Sequence, residues 1–259
     1  MNLTAEEIQQ IETEMLKEVS LLCKEHHIDY YLAYGSLIGA LRHQGPIPWD
    51  TDADIVIPIN QIDKFISVAR ASLSDKFYLD YYDINNYYPT FFPRVGLKGY
   101  SSKILHLDVF KLVGLPQSKK RRKRFEQWSR FLAWLFEIKK MDKTYYGPFV
   151  HYKQAILSIK NILLAPIRPK WLINQFEKHA TRYHYNDAEF VMNSVPGYAA
   201  REIIPKAIYG SPKLSNYGGF KVMIPENPDE YLRHFYGNYM EIPPESERQT
   251  KEFYEIDVI

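Results

Sequence analysis

Three aspartates alternate in the segment Trp-Asp-Thr-Asp-Ala-Asp, at positions 50, 52 and 54. In an extended chain, side chains at alternate positions point to one side, so the carboxylates of Asp50, Asp52 and Asp54 are predicted to converge. Like charges repel, and a hard divalent cation bound by carboxylate oxygens relieves that repulsion. The alternative is a capped turn or a solvated face. The apolar run at 55–59 favours a buried strand with the carboxylates at its end.

Gly35 and Ser36 interrupt an apolar run and precede a short helical pattern, which predicts a turn between a strand and a helix. Glycine lets the backbone approach a phosphate closely, and the free N–H groups and the Ser36 hydroxyl can donate to its oxygens. A helix that starts here would bring Arg42 and His43 to the same side, where Arg42 would offset phosphate charge. Ordinary turn chemistry for Gly35 and Ser36, and pairing of Arg42 with an aspartate, are the alternatives.

Asp108 lies in the alternating segment Leu-His-Leu-Asp-Val-Phe. The alternation predicts a strand in which Asp108 shares a face with His106. Next to the strand that contains Asp54, Asp108 would complete a metal site or act as general base for an incoming hydroxyl. A hydrogen-bonded structural aspartate is the alternative. For His106, a hydrogen-bonded strand histidine is preferred over a catalytic one.

The elements that must position these residues follow from the periodicity of the sequence. Thr4 and Glu7 have the spacing of a capping box, and apolar residues then recur every three or four positions, which predicts a helix over 5–25. Further strands are predicted at 28–33, 54–59, 77–82, 91–97 and 104–113, and further helices at 37–42 and at 60–73 with Asn60 as its cap. Strands and helices that interleave in this way predict an α+β fold, a mixed sheet flanked by helices.

Residues 117–185 differ in character from the rest of the chain. Six consecutive basic residues at 119–124 precede Phe125, Trp128 and Leu132 at helical spacing, which predicts a helix to about residue 140. The last seventy or so residues are rich in turns and aromatic side chains. Without an internal repeat or a low-complexity linker, we expect a single domain over 1–259 with a helical insertion at about 117–185 and an irregular C-terminal segment.

Composition excludes several classes of protein. The 259 residues are 46% apolar, which excludes a disordered chain, and 33 Lys and Arg against 31 Asp and Glu leave a net charge of only +2. Cys23 is the only cysteine, so an internal disulfide is impossible, and the first helix is acidic, unlike a signal peptide. No uncharged apolar run reaches about 18 residues. We therefore expect a cytoplasmic protein.

Three separated segments together resemble one known family. The segment YGSLIGALRHQGPIPWDTDAD at 34–54 resembles the signature of the LicD family of phosphotransferases, which are bacterial relatives of fukutin and fukutin-related protein. The segment LHLDVF at 105–110 is similar to the family's third-aspartate strand, and 224–244 resembles its closing motif. The chain departs from the family after Asp108, where Lys111, Leu112 and Val113 stand in a segment that often continues Pro-Leu-Asp.

The resemblance implies a nucleotidyltransferase-like fold. It also implies metal-dependent transfer of a phosphorylated alcohol, such as phosphocholine or glycerol or ribitol phosphate, from a CDP-linked donor. The acceptor would be a sugar hydroxyl of a cell-surface glycan, such as a capsule or teichoic acid, or of its lipid-linked precursor, and CMP would leave. A nucleotidyltransferase that transfers a nucleoside monophosphate to a protein, RNA or small-molecule hydroxyl is the alternative.

The resemblance also implies roles for particular residues. Asp50, Asp52, Asp54 and Asp108 would bind Mg²⁺ or Mn²⁺; Gly35, Ser36, Arg42 and His43 would bind the donor; and Asp52, Asp54, Asp108 and Arg42 would be catalytic. A choline group would suit an aromatic cage, and aromatic residues cluster at Tyr81, Tyr82, Tyr87, Tyr88, Phe91 and Phe92, although core packing explains such clusters as well.

The basic segment 119–124 has more than one interpretation. With the aromatic residues that follow, it would suit contact with the anionic inner leaflet of a membrane, where each basic residue contributes about 1 kcal/mol. It would equally suit a solvated charge run above a helix that packs on the domain. Nucleic acid is not an expected partner, because no recognition motif accompanies the segment.

Overall fold

The structure is a computed structural model that describes residues 2–82, 90–140, 166–248 and 254–257. The strands are β1 Asn2–Leu3, β2 Tyr31–Leu32, β3 Ala53–Pro58, β4 Phe77–Asp80, β5 Arg94–Leu97, β6 His106–Leu115, β7 Phe190–Asn193, β8 Ile204–Pro205, β9 Lys213–Tyr217, β10 Phe220–Ile224 and β11 Tyr254–Glu255. The helices are α1 Ala5–Glu25, α2 Tyr34–Ile38, α3 Ile62–Ser72, α4 Lys119–Lys140, α5 Pro169–Ala180, α6 Lys206–Tyr209 and α7 Pro228–Tyr236.

A mixed, seven-stranded sheet forms the centre of the fold. Its main order is β2-β3-β6-β5-β4, and β6 is long enough to pair with β7 along its second half, after which β8 pairs with β7. Strands β3 and β6 are parallel, and the other pairs of this sheet are antiparallel. The predicted α+β class with a mixed sheet flanked by helices is confirmed.

Helix α1 begins and ends as its sequence predicts. Thr4 is the N-cap, the backbone N–H of Glu7 donates to the Thr4 hydroxyl over 3.2 Å, and the Glu7 carboxylate accepts from the Thr4 backbone, which completes the capping box. The apolar stripe of α1, which includes Ile8, Met15 and Val19, is buried. Because α1 contacts α3 and strands β3, β5, β6 and β10, it covers the central strands of the sheet.

Helices α4 and α5 pack against each other and against the second half of β6. Phe91 of the loop before β5 stacks on Phe176 of α5, with ring centroids 4.1 Å apart, and also packs on Phe136 of α4. The buried His179 ring contacts the Phe125 carbonyl and the Ser129 hydroxyl of α4, each at 3.1 Å. The described parts of 117–185 therefore share apolar contacts with the sheet.

Several boundaries differ from the predictions. The helix at 34–38 starts at Tyr34, so Gly35 and Ser36 lie within it and not in a preceding turn, and a wide π-type turn at Gly39–His43 continues it. Helix α3 begins at Ile62 and lacks a side-chain cap, because Asn60 donates instead to the Asn186 side chain over 3.0 Å. In both places a tertiary contact fixed the boundary. Positions 141–165 of the predicted insertion lie outside the described residues.

Candidate functional site

Asp54 and Asp108 lie side by side on neighbouring strands. They are direct register partners in the parallel pair of β3 and β6, near the start of both strands. The two strands are therefore neighbours, and their pairing brings two carboxylates to one position in the sheet. Burial, followed by the charges of Asp108, Asp52 and Asp50, raises the pKa of Asp54 well above its ordinary value.

Arg94 supplies the positive charge beside this pair. It is the register partner of Asp108 on β5, its Nε donates to Asp108 Oδ1 over 2.7 Å, and its Nη1 donates to the Ser102 carbonyl over 3.0 Å. His106 lies on the predicted face, with Nε2 3.2 Å from the same Asp108 oxygen. Burial alone would raise the pKa of Asp108, but the hydrogen bonds and charges of His106 and Arg94 lower it.

Asp50 and Asp52 lie in the irregular segment just before β3. Asp52 is exposed and Asp50 is half-buried. Burial and the nearby charge of Asp52 raise the pKa of Asp50 to about 6, while backbone N–H groups of Asp52 and Thr51 lower it. Asp54 therefore feels the charges of Asp50, Asp52 and Asp108, although of the three alternating aspartates only Asp54 belongs to a strand.

Glu12 of helix α1 joins this site, and the sequence patterns did not single it out. It is 4% exposed, and its Oε1 has no hydrogen-bond partner. Burial, then the charges of Asp52, Asp50, Asp54 and Asp108 in that order, raises its pKa well above the ordinary value. Its place four positions after Ile8, on the buried stripe of α1, is the signal in the sequence that could have identified it.

The same helix holds the aspartate segment in place. Gln9 Nε2 donates to the carbonyls of Ile47 and Asp50, over 2.9 Å and 2.6 Å. A cavity of about 10 Å³, which is enough for about one water molecule, lies among Glu12, Asp50, Asp52 and Ser36. Within the described residues, no three His, Cys, Asp or Glu side chains already converge on a common ion position.

The predicted donor-binding residues Gly35 and Ser36 lie directly against the aspartates. A Cβ at Gly35 would overlap the Asp50 carboxylate, so the site requires a glycine there. The buried Ser36 hydroxyl accepts from the Asp54 backbone N–H over 2.8 Å, which fixes the start of β3 on α2 and leaves the hydroxyl proton for another acceptor. Gly39 serves packing, because its Cβ would lie 2.5 Å from the Gly45 carbonyl oxygen.

Arg42 and His43 are engaged with the C-terminal segment and with each other. Arg42 Nη1 donates to the carbonyls of Tyr239 and Glu241, over 2.6 Å and 3.0 Å, and its Nε donates to His43 Nε2 over 2.9 Å. Over the parts of the chain that the structure describes, no aspartate lies within ion-pair distance of Arg42. This disfavours the aspartate-partner interpretation and shows that the segments at 34–54 and 224–244 are in contact.

Tyr34 anchors the start of α2 to the C-terminal half of the chain. Its hydroxyl donates to both Glu202 carboxylate oxygens, at 2.9 Å and 3.0 Å, and accepts from Asn193 Nδ2 at 3.0 Å. Its ring packs edge-on against Phe235 of α7. Burial raises the pKa of Glu202 to about 7, although hydrogen bonds from Tyr34 and the Tyr198 backbone lower it.

The aromatic cluster before β6 serves mainly as core. Phe91 and Phe92 are buried in the packing of α4, α5 and β6, and the Tyr81 hydroxyl donates to Glu177 over 2.9 Å. For these three residues the structure favours the core-packing alternative. Tyr82 is half-buried. Tyr87 and Tyr88 lie outside the described residues.

The fold and site together define a class of protein. A mixed sheet whose parallel central strands each present an aspartate, next to a Gly-Ser segment on a short helix, is the arrangement expected for a nucleotidyltransferase-like domain. The sequence profile described as LicD/FKTN/FKRP, nucleotidyltransferase domain, matches residues 27–153, which include the four aspartates and Arg94. The chain belongs to the LicD family.

Individual relatives support this assignment. The lipopolysaccharide cholinephosphotransferase LicD of Haemophilus influenzae is 22% identical over 276 aligned residues, which cover 99% of both chains. Proteins of Rickettsia prowazekii and Rickettsia typhi are 43% identical over 44 residues, which cover 17% of this chain and 16% and 14% of theirs. The similarity to the Haemophilus protein therefore extends along the whole chain, whereas the Rickettsia matches are local.

Proposed function

We propose that this chain is a metal-dependent phosphotransferase. It moves a phosphorylated alcohol from a CDP-linked donor to a sugar hydroxyl of a cell-surface glycan or of its lipid-linked precursor. Phosphocholine is the first choice of alcohol phosphate, because the relative that aligns over 99% of both chains is named as a cholinephosphotransferase that acts on lipopolysaccharide. Glycerol and ribitol phosphate are the other donors to test.

The observation that carries the proposal is the register pairing of Asp54 with Asp108. The charges of Asp108, Asp52 and Asp50 raise the pKa of Asp54, and the charges of all four aspartates raise the pKa of Glu12, whereas Arg94 pairs with Asp108. Such an accumulation of partly buried negative charge is costly without a counter-charge. The site therefore suits a divalent cation that would also bind the phosphates of a donor.

The donor atoms of the site fit Mg²⁺ or Mn²⁺, which prefer oxygen ligands and leave positions for phosphate. Asp50, Asp52, Asp54 and Asp108 are the proposed ligands. Two local observations support a cation here. Oε1 of Glu12 is buried without a hydrogen-bond partner, and the cavity beside it is lined by Asp50 and Asp52. When bound, the metal would neutralise the diphosphate of the donor and the charge that develops on its leaving oxygen.

The protein groups then have separate tasks. Ser36 keeps Asp54 in position and has a hydroxyl proton to donate to a phosphate oxygen. Arg94 holds Asp108 as a carboxylate, and this makes Asp108 better suited to bind a cation than to remove a proton from the acceptor. Arg42 holds the C-terminal segment and donates to His43, so the contribution of these two residues to donor binding is proposed to be positional.

The test offers the purified chain CDP-choline, CDP-glycerol, CDP-ribitol, CTP and ATP in turn, each with Mg²⁺. Phosphorus NMR follows release of CMP or pyrophosphate. Slow metal-dependent CMP release from one CDP-alcohol is expected, because water substitutes weakly for the sugar acceptor. Pyrophosphate release from CTP or ATP, with indifference to every CDP-alcohol, would contradict the proposal and support nucleotidyl transfer instead.

Two variants separate the site from the fold. Asp108→Asn should lose CMP release while the exposed Asp75→Asn keeps it.

Glu12→Gln tests whether the fifth carboxylate belongs to the metal site. We expect weaker Mg²⁺ binding in titration calorimetry, read without any donor present, and a higher midpoint of thermal unfolding because a buried charge is removed. Unchanged Mg²⁺ affinity would assign Glu12 to packing alone.

A further inference from the structure

Helix α4 turns a face of large aromatic side chains to the outside. Trp128, Phe131 and Trp134 are 51%, 43% and 57% exposed, although residues of this kind are normally buried. They follow one another at intervals of three, so they share one side of the helix. Their rings are in contact, with centroids 5.2 Å apart between Trp128 and Phe131 and 5.9 Å apart between Phe131 and Trp134.

Core packing does not explain this face, because α4 uses its opposite side for the core. The residues on that side are buried against α5 and the sheet: Phe125, Ser129, Leu132 and Phe136. His179 of α5 contacts Phe125 and Ser129. At about 100° per residue, the aromatic strip is centred roughly opposite this buried stripe. Helix α4 therefore lies flat on the body of the protein with the strip facing outward.

The first two turns of α4 add positive charge to the same side. Lys120, Lys123 and Arg124 are exposed and lie, by helical spacing, in line with the aromatic strip. Arg122 points elsewhere, because its Nη1 donates to backbone carbonyls before the helix and its guanidinium lies over the Phe190 ring. Between residues 119 and 134 the sole acidic residue is Glu126, which is buried and 3.5 Å from Arg130.

We infer that this outward face of α4 is a docking surface for an anionic lipid membrane. Lysine and arginine attract acidic headgroups, whereas tryptophan and phenylalanine insert at the boundary between headgroups and acyl chains. Their combination on one flat helix, with no acid exposed between them, complements that interface in both charge and polarity. The described helices include none that is long and apolar enough to cross a bilayer, so the contact is peripheral.

The inference is independent of the proposed reaction, because it concerns a surface formed by α4 alone. The experiment is flotation of the purified full chain with vesicles of phosphatidylcholine, or of equal parts phosphatidylcholine and phosphatidylglycerol. We expect stronger partitioning onto the phosphatidylglycerol vesicles, and weakening of that binding by added salt.

Two variants change the two halves of the surface separately. Replacing Lys120, Lys123 and Arg124 by Gln should lower the partition coefficient on anionic vesicles on the order of 100-fold. Replacing Trp128, Phe131 and Trp134 by Ala should lower it by about tenfold or more. Both sets are exposed, so unfolding midpoints should match the wild type. The control replaces Leu21 and Leu214 by Ala, which are 58% and 65% exposed elsewhere, and should bind as the wild type does.

The other occupants of the surface give different results. Equal partitioning onto both kinds of vesicle, or none, would overturn the inference. Loss of binding in the charge variant but full binding in the aromatic variant would assign the surface to a soluble polyanion. A dimer in sedimentation velocity without lipid, dissociated by the aromatic replacements, would assign it to a second copy of the chain.

Discussion

The buried carboxyl of Glu202 should make the folded protein less stable as the pH rises. Glu202 accepts hydrogen bonds from Tyr34 and from the Tyr198 backbone, and the phenols of Tyr209 and Tyr231 are its other titratable neighbours. Among the described residues, no Lys or Arg lies within ion-pair distance of it. Burial is therefore uncompensated by a cation and raises the pKa of Glu202 from 4.5 to about 7.

The sign and size of the effect follow from linkage. Because its pKa is higher in the folded state, Glu202 contributes stability that is fully present below pH 4.5 and is lost as the pH rises to about 7. At 1.36 kcal/mol per pH unit, this difference corresponds to about 3 kcal/mol. Glu202→Gln stays neutral, so its free energy of unfolding relative to the wild type should increase by that amount across the same range.

The assay is urea unfolding of wild type and variant at a series of pH values. The difference between the two is the quantity of interest, because Asp50, Asp54 and Glu12 also have raised pKa values and are common to both proteins. Exposed Glu230→Gln is the control and should show no such trend. A constant difference between Glu202→Gln and wild type at every pH would refute the reasoning.

Three further predictions concern the candidate site. Asp52→Asn should abolish transfer and leave the thermal midpoint unchanged or higher, because it removes a like charge; unfolding at room temperature would mean a structural role instead. Arg94→Met leaves Asp108 of β6 buried without its cation and should lower the free energy of unfolding by about 3 kcal/mol in denaturant titrations. Gly35→Ala should displace the Asp50 carboxylate and lose activity while its stability stays nearly normal. Gly197→Ala places its methyl group in open space and should keep both activity and stability.

Local patterns in the sequence predicted the elements that need no distant partner. The capping box and apolar stripe of α1 predicted that helix from end to end, because both signals lie within the helix. The apolar run at 55–59 predicted β3, and period-two alternation predicted β6 and the shared face of His106 and Asp108, for the same reason. The alternating aspartates gave the candidate site its first three residues. The metal and donor roles of these residues stay predictions.

The tertiary structure decided which distant residues complete the site. Arg94 reaches Asp108 because β5 pairs antiparallel with β6 in one register, which no local pattern encodes. Glu12 faces the aspartates because α1 crosses the sheet at one angle and depth. Arg42 was predicted at the phosphate or an aspartate, but its fixed partners are two carbonyls nearly two hundred residues away.

The sequence by itself therefore determined α1, β3 and β6 around the site and the chemical type of its main residues. These depend on interactions between residues a few positions apart, and such interactions are readable as spacing. Only the tertiary structure decided the pairing of Asp54 with Asp108, the orphaned carboxylate of Glu12 and the outward side of α4. These depend on strand register and helix packing, where the favourable contacts join parts of the chain that are far apart in sequence.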